Sequence, residues 1–167
     1  MIIKVNLPYP SIEEIVEDKR AAAIISGAYA GHHGELKAVL QYVYHYFNFR
    51  HLGDEQTAKI LMGIAICEME HLKILGEFML KLGVDPIYTR FPPFRTEYFN
   101  AAYLSYSKSP VKMLLDDVAM EMTAISEYEK VEKDLKNEKH AAIIKRIALD
   151  EELHVKALKE RLEKYKS

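Results

Sequence analysis

The sequence predicts an all-α protein: a four-helix bundle of two helical hairpins, joined by one long crossover and preceded by a short extra helix. Three observations predict it. Four long stretches repeat apolar residues at i, i+3 and i+4. A lone glutamate followed by Glu-x-x-His recurs in both halves: Glu35 then Glu68-Met69-Glu70-His71, and Glu121 then Glu151-Glu152-Leu153-His154. The steps are 33 residues from Glu35 to Glu68 and 30 from Glu121 to Glu151, one hairpin length each. Finally, residues 84–108, with Pro86, Pro92 and Pro93, break the helical rhythm. That stretch is long enough to run the length of a bundle, which sets the second and third bundle helices parallel.

The 167 residues predict a single domain over 1–167, with an arm and short helix over 1–30 and the bundle over 34–165. A net charge of −2, from 23 basic and 25 acidic residues, gives no electrostatic case for nucleic acid or an anionic membrane. No apolar run approaches the length of about 18 residues that marks a membrane span. The lone Cys67 and the absence of an apolar leader predict a cytoplasmic location. No Cys-x-x-Cys occurs, which excludes a built-in rubredoxin-type iron centre.

Pro8 and Pro10 keep the first ten residues extended. Ser11, with Glu14 at the capping-box position, predicts a helix from there toward Ala30. Gly31 and Gly34 then bend the chain, with His32-His33 between them, into the first bundle helix, over 34–49. Its predicted buried stripe is Leu36, Val39, Leu40, Val43 and Phe47, flanked by Glu35, Tyr42 and Tyr46. Gly53 ends that segment and Asp54 caps the next helix, over 55–82, whose inward face runs through Leu61, Ile64, Glu68, His71 and Leu75. Gly83 and Pro86 stop it. Ser109-Pro110 starts the third helix, which carries Leu114, Val118, Glu121, Ile125 and Tyr128 on one face up to about 136. The fourth runs over 138–165, with Ile144, Ile147, Glu151, His154 and Leu158 in line. The aromatic crossover predicts packing on the bundle or on a second copy of the chain, hence a homo-oligomer.

About 0.75 copies of Glu-x-x-His are expected by chance from this composition, so one copy carries little weight. Two copies, both on core-facing stripes and both one hairpin after an inward glutamate, carry much more. An unpaired carboxylate in a helical core is costly, and four in one layer repel each other. Two divalent cations resolve this: four positive charges meet four carboxylates, and two neutral imidazoles add ligands without charge. The candidate ligands are Glu35, Glu68, His71, Glu121, Glu151 and His154. Tyr42 and Tyr128 each follow a glutamate by seven residues, two helical turns, so each phenol is placed to hydrogen-bond a ligand carboxylate of the other hairpin. Glu70 and Glu152 point about 100° away from the ligands and read as solvated charges. Glu127, Glu129 and Glu132 read as an outer charged face. His32, His33, His45, His51 and His140 read as surface or loop histidines, and Cys67 as a packing residue.

The run Gly34-Glu35-Leu36 through Asn48-Phe49-Arg50, the segment ILMGIAICEMEHLKIL over 60–75, and Ala101-Ala102-Tyr103 with Ser109-Pro110 resemble the bundle helices of manganese catalases and their shorter spore-coat relatives. These belong to the ferritin-like di-metal carboxylate proteins, and the likeness spans about residues 26–160. It implies a ferritin-like bundle, two Mn or Fe ions as cofactor, and Glu35, Glu68, His71, Glu121 and His154 as ligands. It leaves Glu151 open between an outer acid/base group, as in manganese catalases, and a ligand, as in rubrerythrins and bacterioferritins. The chain departs from the pattern in three ways. It is shorter than typical manganese catalases. Met120 and Met122 flank Glu121 where the catalases carry an arginine, and Ala124 stands where rubrerythrins carry a further glutamate.

The expected function is that of a di-metal oxidoreductase acting on hydrogen peroxide, with Glu151 shuttling protons. The alternative is a di-iron, rubrerythrin- or bacterioferritin-like peroxidase or ferroxidase that uses dioxygen or an external electron donor. A third reading is a non-catalytic protein stabilised by its metals. The same donor set accepts Mn and Fe, so the sequence leaves the metal open.

Overall fold

The computed structural model describes residues 2–165; Met1 and residues 166–167 of the predicted span lie outside them. Its helices in order are α1 (Lys19–Ala30), α2 (Glu35–His51), α3 (Glu55–Lys81), α4 (Pro110–Asp134) and α5 (Glu138–Glu163). The last four build the bundle, as two antiparallel hairpins, α2–α3 and α4–α5. Cross-bundle pairs fix the directions. Tyr42 meets Glu121 and Tyr128 meets Glu35, so α2 and α4 are antiparallel. Arg161 meets Thr57 and His140 meets Phe78, so α3 and α5 are antiparallel. Helices α3 and α4 therefore run parallel, and residues 82–109 cross over between them. No helix among the described residues is long and apolar enough to cross a membrane.

The sequence signals at the helix ends act as physical caps. Gly53 has φ 80°, and the Asp54 carboxylate then accepts from the Thr57 amide at 3.0 Å to start α3. Ser109 caps α4 with Pro110 in its first turn, and the Asn137 side chain accepts from the Lys139 and His140 amides to start α5. Between α1 and α2, a Cβ at Gly34 would lie 2.8 Å from the Gly27 and Ala28 carbonyl oxygens, so this tight bend needs glycine.

The first helix starts later than its capping box suggests. Ser11 Oγ accepts only from the Glu13 amide, in a local turn. Asp18 is the true cap of α1, accepting from the Arg20 and Ala21 amides at 3.0 Å. Residues 12–15 are taken up by tertiary packing instead: Ile12 and Ile15 lie against the core.

The predicted stripe of α2 is also turned. Leu40 is 38% exposed and Phe47 60%, while Glu35, Ala38, Tyr42, His45 and Phe49 face inward. Both sets keep helical spacing, about one residue apart on the wheel. The set that begins at Glu35 wins because its polar groups find partners across the bundle. Within the crossover, Tyr88 stacks on Tyr29 at 5.7 Å, and Tyr29 donates to the Pro86 carbonyl at 2.9 Å. Phe94, in contrast, is 68% exposed. Packing of the crossover aromatics on the bundle is therefore partial.

The apolar interior falls into two clusters. One joins α1 to the far halves of α3 and α5 through Ile25, Leu75, Phe78, Ile143 and Ile147. The other packs Tyr42, Leu61, Ile64, Leu114 and Leu158. Each fully buried aliphatic or aromatic side chain contributes about 1.5–3 kcal/mol. A layer of charged residues lies between the two clusters.

Candidate metal centre

That layer holds all six residues singled out by the Glu-x-x-His pattern. Glu68, His71 and His154 are fully buried, and Glu35, Glu121 and Glu151 are at most 4% exposed. They arrive from four helices: Glu35 from the first turn of α2, Glu68 and His71 from mid-α3, Glu121 from α4, Glu151 and His154 from α5. Their potential ligand atoms form two groups, within each of which the atoms lie inside 4.8 Å of one another. One is Glu35, Glu68, His71 and Glu151; the other is Glu68, Glu121, Glu151 and His154. Glu68 and Glu151 belong to both, so each group has one private carboxylate and one private imidazole, with two carboxylates shared.

The imidazoles are oriented for this. His71 Nδ1 lies 3.0 Å from Glu68 and 3.1 Å from Glu151, and its Nε2 turns outward to Asp150 Oδ2 at 3.1 Å. His154 Nδ1 lies 2.8 Å from Glu68 and 3.1 Å from Glu151. Its Nε2 donates to the Ile3 carbonyl at 2.7 Å. An outer N–H fixed in this way leaves the inner nitrogen as an acceptor for a cation. The Tyr42 hydroxyl donates to Glu121 and the Tyr128 hydroxyl to Glu35, each tying one carboxylate to the other hairpin.

The layer is also electrostatically unfinished. Glu68 Oε1 and Glu151 Oε1 are buried and accept no hydrogen bond of proper geometry. Burial, with the Glu68 and Glu151 charges behind it, pushes the Glu35 and Glu121 carboxyls well above the ordinary range. Burial also opposes ionisation of Glu68, but His154 and His71 outweigh it and hold that carboxyl well below its usual range. Burial disfavours charge on both imidazoles, yet Glu151 and Asp150 beside His71, and Glu68 beside His154, raise them. Protons are thus shared among acids and imidazoles. Divalent cations fit the same positions with better charge balance, and the orphaned carboxylate oxygens are the ligand atoms they would take.

Several residues are not where a sequence reading puts them. His45 is fully buried, not on the surface: its Nδ1 pairs with Asp117 at 2.9 Å and its Nε2 reaches the Ser105 carbonyl at 3.1 Å. Gln41 joins the same network, donating to Asp117 and accepting from the Ser105 amide, which pins the crossover to α2 and α4. His140 is buried too, edge-on to Phe78 at 5.2 Å, and burial lowers its basicity. Glu127 is not part of an outer face: it is half-buried and lines a cavity that ends on the candidate ligands. Glu129, Glu152, His32 and His51 are exposed, Glu132 and His33 are half-buried, and Glu70 pairs with Lys4 at 2.8 Å. Cys67 is buried, 3.5 Å from His71 Nε2.

Asp150 is the functional residue that sequence reasoning missed. It takes His71 Nε2, the Val5 amide at 2.6 Å, the Tyr9 hydroxyl at 2.7 Å and Arg146 at 2.9 Å. Arg146 in turn donates to the Val5 and Leu7 carbonyls, so the N-terminal arm is strapped over α5. The signal was present: an acid directly before Glu151, four residues after an arginine. The Ile3 carbonyl, a backbone group, leaves no such signal.

Fold and layer together define a class, the helical bundle with a carboxylate–imidazole layer between its hairpins. The chain belongs to the ferritin-like domain family, whose profile matches residues 32–167. Solved structures share the fold, among them a manganese catalase and a bacterioferritin. Wild-type KatB, a manganese catalase from Anabaena, superposes with a TM-score of 0.80 at 22% identity over 99% of this chain and 81% of that one. A bacterioferritin from Rhodobacter capsulatus, described with a metal-free dinuclear site and haem iron, gives 0.75 at 22% identity, over 91% and 89%. At such identities the likeness shows the fold alone. No curated protein matches the sequence.

Proposed function

We propose that Glu35, Glu68, His71, Glu121, Glu151 and His154 hold two ions of Mn or Fe, and that the protein is an oxidoreductase acting on hydrogen peroxide. One observation carries this reading: the two ligand groups overlap in Glu68 and Glu151. Such ions, when bound, supply electron transfer and polarisation of the peroxide. The chain's own residues supply the rest. Glu151 is the shared carboxylate that also lines the cavity, so it is placed to take a proton from a small molecule there and return it. Tyr42 and Tyr128 hold the two private carboxylates in orientation. The cavity offers about 10 Å³, room on the order of one water, so only a small molecule fits beside Glu151 without the walls moving. Disproportionation converts two peroxide molecules to two waters and one dioxygen, and needs no partner.

A second reading is a di-iron peroxidase or ferroxidase with an external electron donor. The shared position of Glu151 favours it, because a ligand role there is what a rubrerythrin or bacterioferritin likeness implies. Elemental analysis of protein purified without added metal, with a peroxide assay on the same sample, separates the readings. Dioxygen release without reductant supports disproportionation. Peroxide loss only with a reductant, or iron-dependent oxygen uptake, supports the second. Two bound ions with neither activity leaves a metal-stabilised structural protein. We also propose self-association through exposed apolar residues such as Phe47 and Phe94, and a reducing, cytoplasmic setting for the buried thiol of Cys67.

A further inference from the structure

The six candidate ligands are sealed on most sides. The N-terminal arm covers the outer edges of His71 and His154, and the buried Tyr42 and Tyr128 close the layer toward the two apolar clusters. A narrow cavity reaches three of them. Its inner wall is Glu35, Glu121 and Glu151, and its outer wall includes His33, Ala124 and Glu127. Ala28, His33 and Glu127 also line a much wider surface basin of 520 Å³ beside the α1–α2 turn. The basin and the narrow cavity therefore adjoin at these three residues, and the cavity lies between the basin and the ligands. The neck is only about 10 Å³, so an ion passing it must shed most of its water. Such a step needs an oxygen ligand at the neck to replace the lost hydration, because hard divalent ions dehydrate reluctantly.

Glu127 offers a carboxylate at that place. It is half-buried, takes no hydrogen bond among the described residues, and feels Lys130, His32 and Lys37 only at longer range. We propose that this neck is the route by which divalent cations reach the metal layer, with Glu127 as the carboxylate that draws them in and hands them to Glu35, Glu121 and Glu151. The proposal rests on the two-metal reading above.

The test is the rate of Co²⁺ uptake by the full chain freed of metal, followed by the visible bands of the bound ion. Two variants are compared with the parent. Ala124→Leu fills the neck and Glu127→Gln removes its charge while keeping its shape. The expected result is loading slowed about tenfold or more by Ala124→Leu and several-fold by Glu127→Gln, with weaker salt dependence in the latter. Both variants are expected to bind two ions per chain at equilibrium with the parent's affinity. Glu127→Gln alters a half-exposed polar side chain, so it keeps the test valid if Ala124→Leu does not fold. Parent-like loading rates in the folded variants overturn the proposal, as does loss of an ion from Glu127→Gln, which would make Glu127 a ligand instead. If the parent itself binds no pair of ions, the two-metal reading fails first, and that outcome is distinct.

Discussion

His71 and His154 occupy equivalent places on the two hairpins, each three residues after a shared glutamate, yet their outer nitrogens are held differently. His71 is held by a carboxylate, Asp150, that Arg146, Tyr9 and the Val5 amide hold in turn. His154 is held by a single backbone carbonyl, that of Ile3. The residue before the first Glu-x-x-His is Cys67, and the residue before the second is Asp150. An acid in one hairpin thus has a thiol as its counterpart in the other, and the N-terminal arm makes good the difference. One histidine thus depends on a side chain and the other on a chain segment, and both depend on the first nine residues.

The largest expected effect tests the shared carboxylates against the private ones. Glu68→Gln should remove both ions, weakening binding more than about 100-fold, because the proposed ligand to both cations is lost. Glu35→Gln should weaken one ion and leave the other. Isothermal titration with Mn²⁺ reads both outcomes, and equal losses from the two variants would break the account of shared and private ligands.

Deleting residues 1–9 comes next. It takes the acceptor from His154 and two of the partners from Asp150, so both ions should bind about 10–100-fold more weakly. Asp150→Asn should weaken only the ion on the His71 side, by about tenfold. Should the deletion affect one ion only, the arm's double role is wrong.

A carboxylate outside the layer supplies the smallest effect and the control. Asp54 is half-buried at the α2–α3 turn, where Thr57, Tyr165 and Arg161 surround it. Burial pushes its carboxyl up, but the Thr57 hydroxyl and amide, the Tyr165 hydroxyl and Arg161 outweigh it and hold it well below the usual range. A depressed folded-state value means the stabilisation is complete above about pH 4, where the unfolded group is ionised, and fades as pH falls further. Asp54→Asn should cost about 1–3 kcal/mol at neutral pH by chemical denaturation and flatten the acid limb, with metal affinity unchanged.

Much of this was legible in the sequence, for physical reasons that also mark the boundary. Glu-x-x-His and the seven-residue step to Tyr42 and Tyr128 are local periodicities, so one helix suffices to read them. Helix ends were legible at Asp54, Ser109 and Asn137 because caps are local chemistry. The α2 stripe was not, since two apolar stripes lie side by side and only partners on other helices decide between them. His45 looked like a surface histidine because Asp117, which makes its burial possible, is 72 residues away. The start of α1 was misplaced because packing of Ile12 and Ile15 overrode a local capping signal.

Two cations are proposed to sit between Glu68 and Glu151. Anomalous diffraction from crystals loaded with Mn²⁺ addresses it most directly. The account predicts two peaks roughly 3.5–4 Å apart. One should lie against Glu35 and His71, the other against Glu121 and His154, with Glu68 and Glu151 touching both. A single peak, or a peak held instead by Cys67, His71 and Asp150, would contradict it.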